Sequence, residues 1–240
     1  TASPEQDLPS TAVGVQAVQG MTRGFGFDLS AACSGFIFAL ATADAYSRAG
    51  MARKVLVIGS ELYSRILDWS DRGTCVLFGD GAGAVVLSAS DEEEGRGLLS
   101  THLHSDGTLG DLLYVDGAVG QPDKSGHLVM SGRDVFRHAV SKLSSAVDEA
   151  LAAQGLSYAD VDWLVPHQAN IRIIEGVGKK LGLPSERVVV TVDRHANTSA
   201  ASIPLALDEA VRDGRIGKGD LVLLEALGGG LTWGSALVRM

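Results

Sequence analysis

Residues 31–54, AACSGFIFALATADAYSRAGMARK, return 164 positions later as residues 195–218, HANTSAASIPLALDEAVRDGRIGK. In this register Ala32 meets Ala196, Asp44 meets Asp208, Arg48 meets Arg212, Gly50 meets Gly214 and Lys54 meets Lys218. Farther on, Glu61 meets Glu225. Each copy has the pattern strand, polar turn, helix, glycine, strand, which implies two related α/β halves. The division is placed after residue 92, giving a first half of 1–92 and a second of 93–240. Cys33 and Asn197 then occupy equivalent helix starts.

Working outward, strands are predicted over 24–29, 55–59, 84–88, 163–165, 188–191, 221–224 and 236–238, where β-branched and aliphatic residues cluster. Helices are predicted over 35–49, 132–154, 171–181 and 199–213. This alternation argues for α/β architecture with largely buried sheets. The segment 91–126, with its DEEE run and many glycines, reads as a solvated connection carrying a strand near 98–102. The opening TASPEQDLPS is polar and loop-like with no methionine, which suggests a fragment or processed chain whose first strands precede it.

The chain has 240 residues, 45% hydrophobic and 20% charged, enough for a sizeable core in one large or two moderate domains. Its net charge of −9 disfavours a general nucleic-acid binder, which needs a basic surface. No apolar run is long enough to span a membrane. Cys33 and Cys75 provide neither a disulfide framework nor a metal-ligand spacing, so a reducing cytoplasm is expected and no metal.

A lone cysteine is more often core than nucleophile. Cys33, however, lies among Ser30, Ala31, Ala32, Ser34 and Gly35 at the head of an alanine-rich helix. The free N–H groups and positive dipole end there favour thiolate over thiol and stabilise an oxyanion. His167 directly follows a buried strand, where ligands bind in α/β folds. Asn197, with Thr198 and Ser199, reads equally well as a helix N-cap cluster. His195 is taken as structural, Cys75 as packing, and His102 with His104 as a surface pair. The glycine-rich stretches 78–88 and 226–240 lack a phosphate-loop pattern and run into strands, so they are read as paired hairpin turns. Cysteine, histidine and asparagine on three loops form a recurring set for acyl chemistry. Arg172, Lys179 and Lys180 share one helix, either as a solvated face or as a dock for an acidic partner.

Together AACSGF, DRGTCVLFGDGAGAVVL, STHLHSDG, DWLVPHQANIRII, DRHANTSAASIPLALDEA and LLEALGGGLTWGSALVRM resemble the β-ketoacyl-acyl-carrier-protein synthase III family. The resemblance implies the thiolase-like fold, layered αβαβα with two pseudo-symmetric halves and an incomplete N-terminal half. It also implies that Cys33 takes an acyl group from acyl-CoA, foremost acetyl-CoA. A malonyl group on acyl carrier protein would then lose CO2 while His167 and Asn197 hold the enolate oxygen, and the carbanion would attack acyl-Cys33. In this scheme the N–H groups of Cys33 and Gly229 form the oxyanion hole, and no cofactor is needed beyond the substrates. Arg72 would pack on the CoA adenine, and Arg137, Arg172, Lys179 and Lys180 would receive the carrier protein. Leu8 would reach across a homodimer to close the partner's acyl pocket, and Tyr63, with Leu67 and Trp69, would line the acyl end. The sequence departs from the family at "HAN", where His-Gly-Asn is usual. Two other readings stand beside this one: a related condensing enzyme of secondary metabolism or longer acyl chains, and an inactive truncated fragment. A cysteine hydrolase is least favoured, since no activating carboxylate is evident.

Overall fold

The run LVLLEALG, Leu221–Gly228, is buried at every position, so it must form a strand with packed layers on both faces. The computed structural model, which describes residues 1–90, 95–117 and 123–240, builds those layers. Its helices are α1 (Thr11–Val18), α2 (Gly35–Arg48), α3 (Gly132–Ala153), α4 (Ile171–Lys180), α5 (Val192–His195) and α6 (Ser202–Arg212). Its strands are β1 (Lys54–Leu62), β2 (Asp80–Ser88), β3 (Gly97–Ser105), β4 (Leu113–Val115), β5 (Leu128–Met130), β6 (Trp163–Pro166), β7 (Leu221–Gly228) and β8 (Thr232–Arg239).

Strand β7 lies inside a sheet of order β3-β8-β7-β6, antiparallel to β8 and parallel to β6. A second sheet pairs β1 with β2 antiparallel, and β4 with β5 forms a short ribbon. Helices α2 and α6 lie between the two larger sheets, while α3, with α4 beside it, covers the other face of the four-stranded sheet. Four of the five expected layers are therefore present. On the outer face of β1–β2, Leu56, Leu62 and Val86 remain exposed. The amphipathic helix α3 buries Val135, Ala139, Leu143, Ala146 and Ala150, a stripe at three- and four-residue spacing turned to the sheet. Between the sheets, Phe36, Ile37, Leu40, Val57, Ile203 and Leu224 form one continuous core to which both halves contribute.

The repeat is realised as α2–β1–β2 and α6–β7–β8, a helix followed by an antiparallel strand pair in each case. Ala32 and Ala196, matched by the register, both adopt positive φ, 46° and 58°. The expected boundary after residue 92 falls within 91–94, outside the described residues, as does the DEEE run. The strand expected near 98–102 is β3, longer at both ends.

Four expectations change. Residues 24–29 pair with no strand among the described residues; Phe25 and Phe27 are half exposed and stack 6.3 Å apart instead. Residues 188–191 make a single parallel bridge, Leu164 to Val188, because the chain turns into α5 at once. A helix, α1, forms over 11–18 where none was expected, its first N–H groups capped by the Asp28 carboxylate at 2.8 Å. The glycines of 78–88 make no hairpin turn: Gly81 and Gly83 lie within β2, where the start of α6 rides over the strand, and Gly79, just before it, faces the His195 carbonyl. Only the second glycine stretch turns a hairpin, between β7 and β8.

The tightest approach is at Gly59 of β1, where an added Cβ would stand 2.2 Å from the Ala200 carbonyl oxygen. Neither partner is a flexible side-chain end, so the clash cannot be relieved by a rotamer change. Gly59→Ala is expected to cost about 2 kcal/mol or more of stability, read by guanidinium unfolding.

Candidate active site

Three chain segments converge on one cavity of about 660 Å³ whose lining includes Cys33, Phe78, His167, Asn197, Glu225 and Leu227. Cys33 sits in a 3-10 turn, Ala32–Ser34, that leads directly into α2. The turn is held by Ser34, whose N–H and hydroxyl both donate to the Ala31 carbonyl, at 3.1 and 2.7 Å. From the β7–β8 hairpin, the Thr232 hydroxyl lies 2.7 Å from that of Ser34 and 3.0 Å from the same carbonyl. The hairpin comes so close that a Cβ on Gly228 would lie 2.5 Å from the Cys33 nitrogen. Only glycine lets the end of β7 meet the cysteine turn at backbone distance.

His167 follows β6, its N–H donating to the Glu225 carbonyl of β7 at 2.7 Å. Its ring Nδ1 lies 2.6 Å from the Ser202 hydroxyl at the start of α6. Burial pushes the imidazole down to about 4, so it is neutral at physiological pH. Asn197 is fixed at both backbone ends, donating to the Leu77 carbonyl at 2.9 Å and accepting from Gly79 N–H at 3.0 Å. Its side-chain Oδ1 accepts the Ser199 N–H at 2.9 Å. This bond closes an Asx turn and is not an N-cap, since Thr198 directly precedes the 3-10 turn Ser199–Ala201 and that turn has no side-chain cap. The Asn197 amide Nδ2 lies 3.5 Å from the Ala169 carbonyl.

One electrostatic expectation is reversed. Burial pushes the Cys33 thiol up to about 11, and the charge of Glu61 adds to this, while the nearby Ser199 and Tyr63 hydroxyls pull it down. The resting sulfur is a thiol, because complete desolvation outweighs the dipole of the helix start.

These segments have close relatives. Residues 27–107 match the family described as 3-Oxoacyl-[acyl-carrier-protein (ACP)] synthase III, and residues 151–240 match its C-terminal counterpart. Over 239 residues the chain is 71% identical to the Beta-ketoacyl-[acyl-carrier-protein] synthase III of Acidiphilium cryptum (strain JF-5), covering all of this chain and 75% of the relative. The chain belongs to this family. It is 65% identical, over 242 residues, to the synthase III of Granulibacter bethesdensis, again covering all of this chain and 75% of the relative. The crystal structure of 3-oxoacyl-[acyl-carrier-protein] synthase III from Aquifex aeolicus VF5 matches with a TM-score of 0.93 at 46% identity, covering 99% of this chain and 74% of that one. The fold is accordingly thiolase-like, and the chain is a condensing acyltransferase of fatty acid biosynthesis, a β-ketoacyl-acyl-carrier-protein synthase III.

Not every residue singled out in the sequence meets at the cavity of this synthase. Arg172 lines it and is exposed; Lys179 and Lys180 lie exposed at the far end of the same helix, α4. Arg137, on α3, pairs with Asp134. Arg72 is exposed in a turn braced by Asp71, and its neighbour Gly73 lines the cavity. Gly229 packs against Leu113. Tyr63 is buried behind the cavity wall, its ring stacked on Phe78 at 5.0 Å, whereas Trp69 is exposed. Leu8 is 84% exposed and away from the cavity. His102 and His104 on β3 both face Glu149, at 3.3 and 2.7 Å, and His104 stacks on Trp233. Among the described residues no group of three or more histidine, cysteine or acidic side chains is arranged for a metal, and no helix is long and apolar enough to cross a membrane.

Sequence reading passed over Ser202, Gln168 and Thr232, whose small or amide side chains carry no motif. It paired Glu225 with Glu61 without giving either a place. The Glu61 carboxylate is buried and accepts hydrogen bonds from Ala2 N–H and the Thr1 and Ser3 hydroxyls. The Glu225 carboxyl is equally buried, has no hydrogen-bond partner on either oxygen among the described residues, and is pushed up to about 8 by burial alone.

These titrations make stability depend on pH in opposite directions. His167 takes up a proton more readily when unfolded, so stability falls as pH drops from about 6.5 towards 4. Glu225 holds its proton more tightly when folded, so stability falls as pH rises from about 4.5 to about 8. In thermal melts across buffers, Glu225→Gln is expected to melt above the parent protein by a margin that widens from pH 5 to 8. The backbone at Ala196, φ 58° and ψ −164°, lies in a region that favours glycine. Ala196→Gly is expected to raise unfolding free energy by about 1 kcal/mol in denaturant titrations.

Proposed function

We propose that Cys33, His167 and Asn197 are the catalytic residues, and that this synthase joins an acyl-CoA starter to malonyl-acyl carrier protein. The observation that carries the reading is a buried thiol sharing one cavity with two neutral hydrogen-bond groups, the His167 imidazole and the Asn197 amide. In the first half-reaction the Cys33 sulfur attacks the acyl-CoA carbonyl. The sulfur–carbon bond forms, the thiol proton departs and CoA leaves as its thiol. The developing oxyanion is held by the backbone N–H groups of Cys33 and Gly229. In the second, the malonyl thioester loses CO2, and its enolate oxygen is held by His167 and Asn197. Neutral donors suit this step, since decarboxylation needs charge stabilisation and no base. The carbanion then attacks the acyl-cysteine carbonyl, and Cys33 leaves as thiolate and regains a proton.

Further features support the same reading. Arg172 on the cavity wall, with Lys179, Lys180 and Arg137, offers positive charge to an acidic carrier protein on a chain of net charge −9. Arg72, next to a cavity residue, suits the CoA adenine. We take the starter as acetyl-CoA, because the Phe78 ring in the wall is backed by stacked Tyr63 and has little room to give. The exposed Leu8 suits a homodimer in which it meets the partner's acyl pocket. A cytoplasmic location follows from this soluble set of substrates.

Radiolabelled acetyl-CoA with malonyl-carrier protein tests the assignment. Cys33→Ser is expected to abolish covalent labelling. His167→Ala and Asn197→Ala are expected to label normally and lose condensation by about 10²-fold or more. A variant of either donor that condensed at the parent rate would remove it from the mechanism.

A further inference from the structure

We propose that Ser202 is a positioning residue that fixes the tautomer of His167, donating its hydroxyl hydrogen to Nδ1 so that the imidazole carries its proton on Nε2. The assignment follows from counting donors and acceptors at one buried oxygen and rests on the role given to His167 above. A serine hydroxyl has one hydrogen and can accept two. Ser202 Oγ lies 2.6 Å from His167 Nδ1 and accepts the Gln168 N–H at 3.3 Å. The serine is 1% exposed, so its hydrogen has no bulk water to reach. If Nδ1 bore the imidazole proton, Ser202 would accept twice and its own hydrogen would be buried without an acceptor, at a cost of about 1–3 kcal/mol. If the hydroxyl donates to Nδ1, the serine hydrogen, Nδ1 and the Gln168 N–H are all satisfied.

The consequence is chemical. With Nδ1 occupied as an acceptor, Nε2–H is the one polar hydrogen of the ring, and it is free to serve as a donor in the cavity. The ring cannot act there as a base without first losing that arrangement. Ser202 is the first residue of α6, and Asn197 lies just before the same helix in the same chain segment. One helix start therefore sets both enolate donors: Asn197 through its own amide, and His167 through Ser202.

Long-range 1H–15N spectra of protein with 15N-labelled histidine test this directly, with His167→Asn identifying the signals. The expected pattern is an unprotonated Nδ1 and a protonated Nε2 near neutral pH; the reverse pattern would overturn the proposal. Kinetics supply a second reading. Ser202→Ala should lower kcat for malonyl decarboxylation by about tenfold with an unchanged KM, the loss of one hydrogen bond, while Cys33 acylation stays at the parent rate. Ser202→Thr, which keeps the hydroxyl, should restore the rate. Ser202→Ala decarboxylating as fast as the parent would reject a positioning role, as would equal losses of acylation and decarboxylation. If the parent protein neither acylates nor condenses, the functional reading itself fails, and the spectra still decide the tautomer.

Discussion

The structure turns on the two helix starts, residues 31–35 and 196–202, which lie side by side in the layer between the sheets with a strand glycine pressed at backbone distance against each. Gly59 presses on the Ala200 carbonyl, Gly228 on the Cys33 nitrogen, and a Cβ on Gly35 would touch that of Ala200 at 3.5 Å. No side chain larger than hydrogen fits at the two closest of these points. The backbone bends to make the contact possible: Ala32, Ala196 and Ser199 all take positive φ, 46°, 58° and 50°. Each such residue costs of the order of 1–3 kcal/mol and persists only where surrounding structure over-determines it. The Ser34, Thr232 and Ala31 hydrogen bonds supply that constraint on the cysteine side, and the Asn197 and Ser202 bonds supply it on the other.

Bringing the helix starts together also buries what they carry. Cys33, His167 and Glu225 are all displaced towards their neutral forms, with desolvation the leading cause in each case. A site that keeps its own groups neutral leaves the substrate's negative charge as the main one to be stabilised, and hydrogen bonds to that charge are strengthened by the low local dielectric. The cost appears in stability, since an unpartnered carboxyl and a desolvated imidazole both oppose folding over part of the pH range. Glu61 shows the alternative fate of the same position in the repeat: it is occupied by donors from residues 1–3 and serves structure.

Much of this was legible from sequence because the repeat is a pattern of types rather than of contacts. The helices at 35, 132 and 171, the buried strands at 163 and 221, and the loop positions of Cys33, His167 and Asn197 all follow from local periodicity and breakers. What local reading missed depends on partners far away in the chain. Residues 24–29 have strand composition, yet a strand exists only where another lies beside it. The glycines of 78–88 signal close approach correctly, but sequence cannot say that the approaching body is α6 instead of a returning strand. The helix-start argument for a thiolate failed for the same reason. The dipole is local and visible, whereas burial is contributed by residues from the whole chain.

Gln168 shows how a residue without a motif makes the site one unit. Its amide is completely buried and completely satisfied: Nε2 donates to the Pro166 and Val189 carbonyls at 2.9 and 3.1 Å, and Oε1 accepts from Thr191 and Val192 at 2.7 and 3.1 Å. Three of these bonds, to Val189, Thr191 and Val192, tie the end of β6, which carries His167, to the segment that runs through α5 to Asn197, and the fourth braces the end of β6 itself. Because they lie in the interior, each is strong and none can be exchanged for water without loss. Two donors that must meet one enolate oxygen come from separate stretches of chain, and their spacing is only as firm as this link. The side chain beside the histidine thereby converts two independent loops into a single rigid pair, which is the geometric condition for preorganised charge stabilisation.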